Sequence, residues 1–85
     1  MRSSPVPRYH LNLFNDVDIA DEEGSELADL AAAKEKAIAG ARELMAEHII
    51  LGRAVNLSHR IEIADPRGTV LATLPFREMI TIVAG

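Results

Sequence analysis

The chain has 85 residues, a formal net charge of −4 and no cysteine, so it fits one small domain with no room for a second core. Having no cysteine excludes disulfides, thiolate-bound zinc, iron–sulfur clusters and thiol nucleophiles, and the acidic balance argues against a polyanionic partner, whose footprint is a basic face. Hydrophobic residues make up 48% of the chain, many of them alanine, and the aromatics are Tyr9, Phe14 and Phe76, so the expected core is aliphatic and tight.

Pro5 and Pro7 hold the first residues extended with little to bury, which predicts a disordered segment over 1–7 and a single α+β domain over 8–83. Met1–Pro7 carries no apolar stretch behind Arg2, and no run approaches the ~18 apolar residues of a membrane span. The expectation is a soluble, cytoplasmic protein. From Arg8 on, Tyr9, Leu11 and Leu13 alternate with His10, Asn12 and Phe14, the period of a strand with one face on a core. Asn15-Asp16 marks a turn, and Val17-Asp18-Ile19 is a candidate short strand pairing back. Asp21-Glu22-Glu23-Gly24 is a loop by composition.

Asp29 is placed to cap a helix running from Leu30 to Leu51, because nearly every residue there is a strong helix former and Gly52 stands where a terminating glycine belongs. At about 100° per residue, Leu30, Ala33, Ala37, Ala41, Leu44, Met45 and His48 share one stripe, with Ile38 and Ile49 at its edge. The alanines in its middle allow the helix to approach a sheet closely. Arg53 to Leu57 is a connector. His59, Ile61 and Ile63 alternate with Arg60 and Glu62, Asp65-Pro66-Arg67-Gly68 is a turn, and Thr69 to Leu74 returns as the partner strand, ended by Pro75.

In that hairpin a type I turn followed by a Gly68 bulge sets Ile63 opposite Leu71 and Ile61 opposite Thr73, with Val70, Ala72 and Leu74 facing away from the helix. A two-residue loop would instead pair Ile63 with Val70 and Ile61 with Ala72. Phe76 to Val83 is apolar enough to pack, as a helical turn or a last strand. The order β-(β)-α-β-β predicts a two-layer α+β sandwich, one long helix on a three- to four-stranded antiparallel sheet.

Several stretches together resemble a family of short bacterial domains known only as a domain of unknown function. They are Arg8-Tyr9, Asp21-Glu22-Glu23-Gly24, Glu26-Leu27, Asp29-Leu30, Ala32-Ala33, Ala41-Arg42-Glu43-Leu44, Arg60-Ile61-Glu62-Ile63, Asp65, Gly68, Val70-Leu71 and Thr73-Leu74-Pro75-Phe76. The likeness spans Arg8 to Phe76. It implies no activity and assigns no catalytic or binding residue. Ile49-Ile50-Leu51 is more apolar than the family pattern.

Asp16, Asp18, Asp21, Glu22, Glu23, Glu26 and Asp29 fall in a stretch without Lys or Arg. Counted from Asp16 as a calcium loop, the fifth, sixth and twelfth positions are Ala20, Asp21 and Leu27, where an oxygen ligand, a glycine and a glutamate are needed. The stretch is therefore expected to be a solvated acidic loop. His10, His48 and His59 show no local metal-ligand spacing, and the expectation is hydrogen-bonded histidines at the core's edge. No serine sits in a nucleophile elbow and the glycines are scattered, so neither an enzyme nor a phosphate loop is expected, and no cofactor or metal is implied.

The alternative to a non-catalytic interaction module is a nucleic-acid-binding or antitoxin-like domain using Arg8, Arg60, Arg67 and Arg77 on the sheet side, although no aromatic pair accompanies them for base stacking. Self-association is expected, as a homodimer, or else binding to another protein. Ile49, Ile50 and Leu51 point in three directions and cannot all meet one sheet. Ile50 and Ala46 on the helix, with Val70, Ala72 and Leu74 on the open sheet face, form the expected interface. The competing arrangement has the connector folding back so that Val55 and Leu57 cover the helix end.

Overall fold

The computed structural model describes residues 7–15 and 18–84; the segment expected to be disordered lies outside them except for Pro7, and so do Asp16 and Val17. Helix α1 spans Leu30–Ile50. Asp29 Oδ1 accepts a hydrogen bond from the Ala32 N–H (2.8 Å) and so satisfies one of the free donors of the first turn. At the other end Gly52 takes φ +72°. Its N–H donates to Ile49 O (3.0 Å) and the Arg53 N–H to His48 O (2.7 Å), the paired bonds of a Schellman ending that needs a residue free to adopt a left-handed backbone. Ala33, Ala37, Ala41 and Met45 are buried, with Leu30, Ile38 and Leu44 partly so. Ile49, expected at the edge of this stripe, is instead largely exposed.

The sheet has the order β2-β1-β3-β4, all neighbours antiparallel. Strand β1 (Arg8–Phe14) pairs with β3 (Arg60–Ala64) in the register Leu11 opposite Ile63 and Leu13 opposite Ile61, so Tyr9, Leu11, Leu13, Ile61 and Ile63 share the helix side. On its other side β1 meets β2, the two residues Ser25–Glu26, with Arg8 opposite Glu26 and Tyr9 opposite Ser25. The sequence places these residues in the approach to the helix; a two-residue strand carries no readable period. Ile19 forms a single bridge to Leu13, donating to and accepting from it at 2.8 and 2.9 Å, where the sequence suggests a short strand.

The hairpin between β3 and β4 (Val70–Pro75) corrects the expected register. Its turn forms as the residues dictate: Gly68 takes φ +88°, its N–H donates to Asp65 O (2.9 Å), and Asp65 Oδ1 accepts from the Arg67 and Thr69 N–H groups, both at 2.9 Å. Ala64 accordingly lies opposite Val70. The register then shifts at Leu71, after which Ile63 faces Ala72 and Ile61 faces Leu74. One residue of slip exchanges the two faces of a strand, so Ala72 and Leu74 pack against the core beneath the helix, and neither belongs to an apolar open face. The cause is burial: the uninterrupted register would have put Leu71 and the Thr73 hydroxyl under the helix with Ala72 and Leu74 in water, and the shift exchanges them so that no hydroxyl lies under the helix.

After Pro75 the chain makes one 3₁₀ turn, Phe76–Glu78, that buries Phe76 and Met79. The Phe76 N–H bonds to His59 O (2.9 Å), the His59 ring meets the Phe76 ring edge to face at 5.7 Å, and Arg42 Nε on the helix donates to Met79 O (2.7 Å). The tail is thus a plug at the sheet's end, the helical of the two expected alternatives. Among the described residues no helix is long and apolar enough to cross a membrane.

Candidate interaction surface

Two regions drew notice in the sequence, the acidic stretch and the apolar helix end, and the structure treats them oppositely. In the first, Asp21 works inward. Its Oδ2 accepts from the Leu11 N–H (3.1 Å) and its Oδ1 from the Gly24 N–H (3.1 Å), while its own N–H donates to Asn12 Oδ1 (2.8 Å) and its carbonyl accepts from His10 Nδ1 (2.6 Å). These bonds replace the ladder between the Ile19 bridge and β2, so segment 19–26 lies along the outer edge of β1 and covers it. Gly24 (φ +72°) closes the segment so tightly that a Cβ there would sit 2.9 Å from Tyr9 O and 3.0 Å from His10 Cε1. Arg8 adds bonds to Glu23 O (2.7 Å) and to the Glu26 carboxylate (3.1 Å).

The open face of the sheet is likewise occupied. Arg60 stands 4.4 Å over the Phe14 ring and bonds the Glu62 carboxylate at 3.0 Å. Of the four arginines considered for a polyanion, Arg8 and Arg60 are therefore each paired with a carboxylate of the domain, and Arg67 and Arg77 stand exposed outside the sheet's paired rows. His10, His48 and His59 are each half-buried, and among the described residues no three His, Asp or Glu side chains are grouped to hold a metal ion.

The helix end is different. Ile49, Ile50 and Leu51 are 66%, 82% and 55% exposed, and in the tail Ile82 and Val83 are 68% and 83% exposed. Val55 and Leu57 of the connector do fold back against the core, as the competing arrangement expected, but they leave Ile49–Leu51 uncovered. Between the helix end (Ile49, Arg53), the connector (Val55, Leu57) and the tail (Ile80, Ile82) lies an open groove of about 490 Å³. Ala46, one turn before Ile50 on the helix, is also exposed. Val70, 49% exposed, begins edge strand β4. Of the residues assigned to an interface from sequence, Ile50 and Ala46 are exposed one turn apart on the helix, whereas Ala72 and Leu74 pack against the core and Val70 stands on the edge strand. Ile49, Leu51, Ile82 and Val83 were not assigned to it, although the consecutive apolar runs at 49–51 and 82–83 were the available signal.

A model of the family described as Domain of unknown function (DUF6894) matches residues 8–77. No curated protein and no solved structure matches the chain.

Proposed function

The chain belongs to the DUF6894 family of domains of unknown function, and we propose that it acts as a non-catalytic protein-interaction module whose contact surface is the apolar end formed by Ile49–Leu51, the connector and the tail. One observation carries this reading: five large aliphatic side chains of the helix end and the tail stand more than half exposed, and two of them, Ile49 and Ile82, line a groove together with Val55, Leu57 and Ile80, which pack against the core. The largest apolar patch on a protein's surface is often a functional binding surface. The polar residues that chemistry would need, Asp21 and His10 foremost, are bound to backbone groups of the same domain.

A photo-crosslinking side chain at position 50, with a control at exposed Glu35, tests this in cells that make the protein. Adducts from position 50 on one defined peptide, and none from position 35, are the expected result. No adduct from position 50 refutes the reading.

A further inference from the structure

We propose that Asn56, in the connector between the helix and β3, is an acceptor site for an N-linked sugar. The inference is independent of the contact surface above and rests on two observations that meet at one residue. Asn56-Leu57-Ser58 has the Asn-x-Ser spacing that N-glycosylation requires, with a middle residue other than proline. Two positions after Asn12 stands Phe14 and two after Asn15 stands Val17, so neither of those asparagines has a hydroxyl in that place. The spacing alone is common in proteins; what singles out this one is its geometry.

Asn56 Oδ1 accepts from the Ser58 N–H (2.9 Å) and from the Ser58 hydroxyl (2.6 Å), a turn closed by the asparagine side chain. Both donors go to the oxygen. The amide nitrogen Nδ2 is left with its two hydrogens, and among the described residues it donates to no other group. Asn56 and Ser58 are both exposed and lie outside every helix and strand, so a transferase can draw this stretch into its own groove without breaking the sheet or α1. Asn12, by contrast, is half-buried in β1 with its Oδ1 taken by the Asp21 N–H. The reaction is a displacement on a sugar activated as a diphosphate ester. Nδ2 attacks the anomeric carbon, the new N–C bond forms as the C–O bond to the diphosphate breaks, and the diphosphate leaves with the bonding electron pair. One Nδ2 proton passes to a base of the transferase, and nothing is oxidised or reduced. The sugar diphosphate can be carried on a polyprenyl lipid or on a nucleotide.

The test is the intact mass of the full chain isolated from the cells that naturally make it, with the modified residue located by peptide sequencing. Added sugar mass at Asn56 is the expected result. An oligosaccharide transferred as one block assigns a polyprenyl-linked donor, and single hexoses assign a nucleotide-linked one. Asn56→Asp keeps an oxygen acceptor for the turn and removes the nucleophilic nitrogen, so it should lose the sugar while its circular dichroism stays that of the native chain. Ser58→Ala keeps the backbone bond to Asn56 but not the hydroxyl and should also lose the sugar; Ser58→Thr restores the hydroxyl and should keep it. A mass equal to that of the bare 9.2 kDa polypeptide overturns the proposal. So does sugar found at a residue other than Asn56, or sugar at Asn56 that is undiminished in Ser58→Ala.

Discussion

Segment 19–26 leads toward the helix and segment 49–57 carries its last residues and the chain that leaves it, and they finish their interactions in opposite ways. The first is crowded with charge, yet its key carboxylate, Asp21, is consumed by two backbone N–H groups of its own domain. The second carries few charges and ends the helix in a well-formed Schellman turn, yet leaves three consecutive aliphatic residues in water. Charge density in a sequence is therefore a poor guide to a site, because a carboxylate satisfied by backbone donors has little left to offer a ligand. Apolar surface left uncovered is the better guide, since its cost is relieved only by another surface.

That contrast predicts that substitutions in the first segment act on stability and those in the second on association. The largest loss is expected for Gly24→Ala, which combines a left-handed backbone with a Cβ 2.9 Å from a carbonyl oxygen. It should cost about 3 kcal/mol, read as a fall of roughly 10–20 °C in the melting temperature. A change of less than a few degrees would show that the edge segment can detach freely. Asp21→Ala strips acceptors from the N–H groups of Leu11 and Gly24 and should cost about 2 kcal/mol in urea unfolding; calcium should have no effect on the midpoint of the native protein.

Asp29→Ala removes the helix cap and should cost about 1 kcal/mol by the same measurement. Arg60→Ala loses an exposed ion pair and a ring contact and should cost at most about 0.5–1 kcal/mol, with the Glu62 part of it vanishing in high salt. The smallest effect should come from Ile50→Glu. Its unfolding free energy, measured in dilution where the chain is monomeric, should stay within about 0.5 kcal/mol of the native value. A large loss there would mean that the helix end is part of the core, and the contrast between the two segments would collapse.

Much of the fold was legible in the residues because it follows from local chemistry. Asp29 and Gly52 bound the helix where they stand, the alanine stripe faces the sheet, and Asp65-Pro66-Arg67-Gly68 turns as its residues require. What was not legible depends on contacts between distant segments. The irregularity at Leu71 arises because Ala72 and Leu74 gain burial against Ile63 and Ile61, a demand that outweighs the register set by the turn a few residues away. Thr73 was the clue, since the expected register would have buried its hydroxyl. Strand β2 exists because Arg8 and Tyr9 offer it a partner, which nothing within Ser25-Glu26 announces. At the candidate surface Ile50 was legible from the geometry of three consecutive apolar residues. The share contributed by Ile82 was not, because it depends on the tail returning to the helix end.

The alanine stripe has a thermal consequence as well. Ala33, Ala37 and Ala41 fill the middle of the helix–sheet interface with methyl groups, so folding there hides little apolar area per residue. The heat capacity increment of unfolding scales with that area and is ordinarily about 12–15 cal/mol/K per residue. This domain should fall below that range. Its stability would then vary gently with temperature, spreading a modest maximum over a broad interval.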